Sequence, residues 1–159
     1  MALTFRKASP SEGGDVDRVL RSAFTPYVRK LGRELAADYY AWVGAAVERG
    51  DVYVALEAGQ VLGVAVTERR DEDLYIDRLG VDPSRQGSGL GGWLLVRLEE
   101  LARSSGLTAM SLETAEMMEH LIRLYRRHGF EIVGRGLPSH GKDRHTRVHM
   151  AKRLEASNF

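Results

Sequence analysis

The chain has 159 residues, 43% hydrophobic and 28% charged, with a formal net charge of +1; this length and balance fit one globular domain and exclude long disordered tracts. The absence of cysteine excludes disulfides, thiolate catalysis and Cys-ligated zinc, and near-neutral charge argues against a nucleic-acid partner. No apolar run reaches the ~18 residues of a membrane span, and the opening Met-Ala-Leu-Thr-Phe-Arg-Lys lacks a signal-peptide core, so a cytoplasmic protein without a membrane partner is expected.

Leu3–Lys7 alternates apolar and polar side chains, as a short strand does, and Val16, Val19, Leu20 and Ala23 then share one helical face. Pro26 pushes the residue before it out of the α region, which predicts a break at Phe24-Thr25-Pro26-Tyr27. Residues 33–49 place Leu35, Tyr39, Trp42, Val43, Ala46 and Val47 at helical spacing, so a second helix is expected there, stopped by Gly50. Residues 51–57 and 61–68 are β-prone runs joined at Ala58-Gly59-Gln60 as a hairpin, and a charged turn at 69–73 leads into a third strand at 74–81.

Further on, Leu90, Leu94, Leu98 and Leu101 form the apolar stripe of a helix that ends at Gly106, with Glu99 facing Arg103. A strand at 107–113 follows. A helix at 117–128 carries Met117, Leu121, Leu124 and Tyr125 on one side and is capped by Gly129. Strands at 130–133 and 145–150 complete the chain. The order β-α-α-β-β-β-α-β-α-β-β predicts one α+β domain over residues 1–159, with a mixed, mostly antiparallel sheet of about seven strands flanked by four helices.

The segment Leu79-Gly80-Val81-Asp82-Pro83-Ser84-Arg85-Gln86-Gly87-Ser88-Gly89-Leu90-Gly91-Gly92 carries a strand through a glycine-rich turn into a helix. Glycine lets backbone N–H groups converge, and a helix start adds about half a positive charge, so the turn is suited to phosphate. A plain tight turn is the bland alternative. Gly87, Gly89 and Gly92 also satisfy G-x-G-x-x-G, but five residues separate the strand from the first glycine, and a meander stands where a dinucleotide fold has a parallel βαβ unit. Residues 136–142 spell G-x-x-x-x-G-K, yet Asp143 replaces the Mg²⁺-holding Ser/Thr and a strand pattern follows, which reads as a loop. His145 and His149 share a strand face with Arg147 between them, an arrangement that repels a cation, and no metal is expected.

Gln86-Gly87-Ser88-Gly89-Leu90-Gly91 fits Q/R-x-x-G-x-G/A directly after Val81-Asp82-Pro83 and directly before the Leu-rich helix. Here the chain resembles the GNAT superfamily of acetyl-CoA-dependent N-acetyltransferases. Leu124-Tyr125-Arg126-Arg127-His128-Gly129-Phe130 looks like the superfamily's Leu-Tyr-x-x-x-Gly-Phe signature, and Val148-His149-Met150-Ala151-Lys152-Arg153-Leu154 looks like its last strand. The resemblance covers nearly the whole chain. It implies that backbone amides of Gln86, Gly87, Ser88, Gly89, Leu90, Gly91 and Gly92 bind the coenzyme A pyrophosphate. Main-chain groups of Leu79 and Val81 would then pair with the pantetheine arm as a pseudo-strand, and the Leu79 N–H would polarise the thioester carbonyl.

In that reading Tyr125 is the general acid for the departing thiolate, since a phenol of ordinary pKa about 10 stays protonated at neutral pH; otherwise it is a core tyrosine. Many family members carry an asparagine seven residues earlier that contacts the cofactor or orients the acid; this sequence has Met118 at that candidate cofactor-binding position, and some divergent members lack that asparagine too. The attacking amine must lose a proton, and Asp77 or Glu113 is the candidate base, each equally readable as a solvated strand-end charge. Tyr27, Tyr39, Tyr40 and Trp42 read as core, but this region borders the acceptor site in the superfamily, which makes Tyr27 and Tyr39 candidate substrate contacts.

The function expected is N-acetylation of a small-molecule, peptide or protein amine by direct attack in a ternary complex, with acetyl-CoA as cosubstrate and no metal. The competing class is an inactive acyl-CoA-binding or sensing module, against which Tyr125 speaks. Acetylation of aminoacyl-tRNA, known among family toxins, sits poorly with near-neutral charge. Family members often dimerise through late strands, and Val148 and Met150 are offered for a homodimer.

Overall fold

A computed structural model describes residues 2–155. Its elements follow the expected order: β1 (Leu3–Lys7), α1 (Gly13–Lys30), α2 (Val43–Glu48), β2 (Val52–Glu57), β3 (Gln60–Arg70), β4 (Asp73–Val81), α3 (Leu90–Ser104), β5 (Ala109–Ala115), α4 (Glu119–Arg127), β6 (Glu131–Gly136) and β7 (Arg147–Arg153). The seven strands are ordered β1-β2-β3-β4-β5-β7-β6. β4 and β5 pair in parallel, whereas β1 with β2, β2 with β3, β5 with β7 and β6 with β7 pair antiparallel. The mixed α+β sheet with four helices is thus as the sequence reading has it. No helix among the described residues is long and apolar enough to cross a membrane.

The chain divides into two compact units, one of Met1–Thr67 with Arg78–Leu94 and one of Glu68–Asp77 with Leu95–Phe159. In the first, Glu57 pairs with Gln60, so Ala58 (φ 51°) and Gly59 (φ 78°) form a two-residue turn with both residues left-handed, whose twist suits a hairpin. Strand alternation then sorts the side chains. Val52, Val54, Leu56, Val64 and Val66 pack with Val16, Val19 and Leu20 of α1 and Val43, Ala46 and Val47 of α2. On the other side Ala55 and Leu62 meet Leu90 and Leu94 of α3, with Phe5, Leu79, Val81 and Trp93 against them.

Two glycines permit this close layering. A Cβ at Gly63 would lie 2.8 Å from Cδ1 of Leu94 and 3.4 Å from Cβ of Ala55, so α3 rests on bare β3 backbone. A Cβ at Gly80 would meet Ala23 at 3.3 Å, with Leu20 and Phe24 at 3.5 Å; α1 therefore sits close to β4, though less tightly than α3 on β3.

Two local expectations are corrected in this unit. Pro26 does not break the first helix, which continues to Lys30. Proline removes one N–H and crowds the carbonyl four residues back, that of Ser22, but Val28 and Leu31 beyond it are buried. Burial on both sides of the proline holds the helix, and the reversal comes instead at Gly32, φ 79°. The helix expected at 33–49 shrinks to Val43–Glu48. Before it, Tyr39, Ala41 and Val43 donate to carbonyls three residues back. Arg21 takes the Ala36 and Ala37 carbonyls at 3.3 and 2.6 Å, acceptors that an α-helix would have used. Tyr39, Tyr40 and Trp42 all pack on the core.

In the second unit β5 starts at Ala109, two residues later than expected, because Thr108 and Ala109 donate to the Glu72 carbonyl. β6 begins at Glu131 and runs to Gly136. β7 begins at Arg147, not at 145: Asp143 accepts from the His145 N–H at 3.0 Å and from the Arg147 guanidinium at 2.9 Å, folding the approach to the strand. His145 therefore lies outside the strand, and Arg147 is buried with Asp143. The inward side of α4 is turned by one position from the expectation: Met118, Ile122 and Tyr125 are buried, while Met117 is 48% exposed. Val148 and Met150, offered as dimer contacts, are fully buried within the fold and present no surface.

Gly63→Val should lower the melting temperature by several degrees, since overpacking a tight core contact costs about 1–3 kcal/mol; an unchanged melt would show that α3 does not lie on Gly63. Acid stability provides a second check. Glu12 accepts from Arg6 at 2.7 and 2.9 Å and from the Ser9 backbone at 2.8 Å, and chiefly the Arg6 contact holds its carboxyl down at about 2 from an ordinary 4.5. The folded pKa lies below the unfolded one, so this stabilisation is present above 4.5 and lost as pH falls toward 2. Glu12→Gln should flatten the acid limb of a stability-against-pH curve over that window.

Candidate active site

In the first unit β4 runs on to Val81, five residues past Ile76, the last residue it pairs with β5 in the described register. Asp82 then caps a short 3₁₀ turn, Pro83–Arg85. Its carboxylate accepts from the Ser84 N–H at 3.0 Å and hydroxyl at 2.7 Å and from Arg18 of α1 at 2.9 Å. The Ser84 contacts, with Arg18, hold the Asp82 carboxyl below its ordinary range. Arg85 pairs with the nearly buried Glu57 at the end of β2, and the Asp82 N–H donates to the Leu62 carbonyl at 2.8 Å. The entry to the turn is therefore pinned to α1, β2 and β3.

After this anchor come the glycines. Gly87 and Gly89 adopt φ of 80° and 88°, a region where only glycine is unstrained, and nothing lies within 4 Å of a Cβ at either position. Their conformation, not crowding, requires glycine. The Ser88 N–H donates to the Arg85 carbonyl at 3.2 Å and Gln86 Nε2 to the Val81 carbonyl at 3.4 Å. The Gly89 carbonyl accepts from Trp93 at 3.0 Å as the first helical bond, so the N–H groups of Gly89, Leu90, Gly91 and Gly92 are those that α3 leaves without an intrahelical acceptor. Residues 86–89 are largely exposed while Leu90 is buried. An open turn at a positive helix end suits an anion, and because Gln86 and Ser88 donate their N–H groups to the Pro83 and Arg85 carbonyls, the amides left for one are those that open α3.

The same unit gathers the aromatic candidates. Tyr27 meets Phe24 edge-on at 5.8 Å and Tyr39 meets Tyr40 edge-on at 4.8 Å. Arg78 of β4, which the sequence reading passed over, donates to Tyr39 Oη at 3.3 Å and lies 6.0 Å from the Phe24 ring centre. Its signal was a lone basic residue amid strand hydrophobics. Arg18 and Glu57 were missed too, because only the folded chain brings them to the turn.

In the second unit Tyr125 is 7% exposed and packs edge-on against Phe130 at 6.1 Å, while its carbonyl accepts from the His128 and Phe130 N–H groups. The Leu-Tyr-x-x-x-Gly-Phe pattern thus closes on itself, with Gly129 at φ 90° allowing Phe130 to fold back. Met118 is buried at the N-cap of α4, where its thioether offers no N–H donor. Tyr75 pairs with Ser111, so Asp77 and Glu113, each two residues on, lie on one face of β4 and β5. Glu113 also faces His149 of β7, carboxylate to Nδ1 at 3.6 Å.

A sequence profile of the acetyltransferase (GNAT) family matches residues 16–130. An IAA acetyltransferase of Azospirillum brasilense is 38% identical over 79 residues, which are 48% of this chain and 52% of that protein; the chain thus spans about half the length of this relative. Among solved structures, Ard1 from Thermoplasma volcanium superposes with a TM-score of 0.77 at 22% identity, covering 98% of this chain and 99% of that one. The PaiA N-acetyltransferase from Thermoplasma acidophilum, solved with coenzyme A, does so with 0.77 at 16% identity, covering 97% and 100%. These likenesses are of fold. Because the family profile runs from the first helix through the turn at 86–92 to the Gly-Phe pair after α4, most of the chain's length, the chain belongs to the GNAT family of acetyltransferases.

Proposed function

We propose that residues 1–159 act as one acetyl-CoA-dependent N-acetyltransferase domain, in which a neutral primary amine of a small molecule or peptide attacks the thioester directly. The observation that carries this reading is the turn at 86–92, where Gly87 and Gly89 take left-handed conformations and residues 86–89 lie exposed at the start of α3. The amides that open α3 would hold the pyrophosphate, and the main chain of Leu79 and Val81 would receive the pantetheine arm. A likeness of fold to a protein solved with coenzyme A supports the same ligand. Acetyl-CoA supplies an activated acyl carbon when bound.

The chain's own groups then handle two protons. The acceptor nitrogen forms the new N–C bond and gives its proton to Asp77 or Glu113, directly or through water; Glu113 has His149 beside it. The C–S bond breaks, and Tyr125 gives its phenolic proton to the departing sulfur. The absence of cysteine in the chain removes a Cys acyl-enzyme route. A second reading, an acyl-CoA-binding module without turnover, is favoured by Met118, which puts a thioether where many family members have an asparagine.

Acetyl-CoA-dependent thiol release, screened over amino acids, polyamines, aminoglycosides and peptides, separates the two. Release with at least one amine is expected. Tyr125→Phe should then reduce kcat by about 10²- to 10⁴-fold with coenzyme A affinity retained. Gly89→Glu, which puts a carboxylate and a strained φ into the turn, should weaken coenzyme A binding at least tenfold in calorimetry. Coenzyme A binding without release from any amine would establish the binding module.

A further inference from the structure

Alternation along β4 gives the first unit two chemically different sides. Leu79 and Val81 pack with Leu90 and Leu94, whereas Gly80 lies beneath Leu20, Ala23 and Phe24 of α1, and Arg78 shares that second side. Its guanidinium stands 6.0 Å from the Phe24 ring centre and donates to Tyr39 Oη at 3.3 Å. Tyr27 closes on Phe24, and Tyr40 on Tyr39. A half-buried cation thus sits against Phe24 and Tyr39, whose rings meet Tyr27 and Tyr40, one residue before the strand segment assigned to the pantetheine arm.

Two further observations give this cluster a ligand chemistry. Tyr40 is 3% exposed, and its Oη, with Arg78 beside it, makes no hydrogen bond of good geometry, although buried hydroxyls as a rule have one. Burial pushes the Tyr40 phenol up to about 12, with the charges of Arg78 and Arg21 opposing, so it stays a neutral donor. Arg21, the other nearby guanidinium, pairs with Asp17 at 2.8 Å and holds the carbonyls of Ala36 and Ala37.

We propose that Arg78 binds a carboxylate on the acceptor, with Tyr40 Oη as a second donor, so that the substrate class is small amines bearing a carboxylate, of the amino-acid type. This rests on the acetyltransferase reading above. A guanidinium fork matches both oxygens of a carboxylate, and its weak hydration suits a place beside rings. The rings supply apolar walls for the side chain of such an acceptor. A polyamine would instead meet a like charge at Arg78.

Matched pairs test this: an amino acid against the amine left by its decarboxylation, namely phenylalanine and phenethylamine, tyrosine and tyramine, methionine and 3-(methylthio)propylamine, and glutamate and 4-aminobutyrate as a pair that keeps one carboxylate, with spermidine alongside. Each is measured by thiol release and by calorimetric titration of the coenzyme A-loaded protein. At least one acid should be preferred over its amine about tenfold or more, carried by KM and by Kd. Arg78→Gln should collapse that ratio toward one, Arg78→Lys should keep part of it, and Tyr40→Phe should lower it several-fold, with circular dichroism confirming that each variant folds. A wild-type protein that prefers no acid, or that prefers spermidine, overturns the proposal, as does an Arg78→Gln variant that folds and keeps the ratio. Selective binding of an acid, abolished by Arg78→Gln but without thiol release from any amine, upholds the Arg78 site and overturns the acetyltransferase reading.

Discussion

The direct seating of α3 on β3 backbone at Gly63 is the contact on which the first unit depends. With Leu94 Cδ1 only 2.8 Å from where a Cβ would be, the first turns of α3 have one place to go, and the amides that open the helix go with them. The interior is packed too densely for that placement to slide. Gly80 does for α1, less tightly, what Gly63 does for α3, so the strand carrying Leu79 and Val81 is clasped by helices whose positions are set by the absence of two methyl groups.

Electrostatics finishes what packing starts. Asp82 ties the turn to α1 through Arg18, and Arg85 ties it to β2 through Glu57. Each pairs a part-exposed arginine with a largely buried carboxylate, and their effect here is on position. They bracket the 3₁₀ turn before the glycines, so the glycine-opened part of the loop is confined to residues 86–89. A cradle for phosphate needs both properties: a fixed approach, so that the amides converge, and a glycine backbone free of Cβ, so that the anion can come close.

The period-two geometry of β4 then divides the chemistry. Leu79 and Val81 face the α3 side, Arg78 and Gly80 the α1 side, and Asp77 continues the face of Tyr75 beside β5. One strand thereby presents an apolar surface, a guanidinium beside rings, and a carboxylate within a few residues. In the second unit α4 buries Tyr125 with Ile122 and Met118, and the return of Phe130 over its last turn gives the tyrosine ring an edge-on neighbour that restricts its rotation.

Much of this was legible before the fold was known. The element order, the hairpin at Ala58-Gly59, the glycine turn and the Leu-Tyr-x-x-x-Gly-Phe pattern are local: each follows from the periodicity of side chains or from which residues tolerate a left-handed φ, and a chain expresses both within a few neighbours. The misreadings were failures of locality. Pro26 reads as a helix stop until burial of Val28 and Leu31 beyond it outweighs the lost hydrogen bond. Residues 33–42 read as helix until Arg21, from another element, takes their carbonyls. The partners of the site are distant in sequence. Arg18 with Asp82, Glu57 with Arg85, and Arg78 with Tyr39 lie between 28 and 64 residues apart, and no spacing rule reaches that far. The sequence by itself determined the family and the glycine-opened turn, because those depend on backbone conformation; only the tertiary structure decided which charges meet, because side-chain pairing depends on where distant strands and helices come to rest.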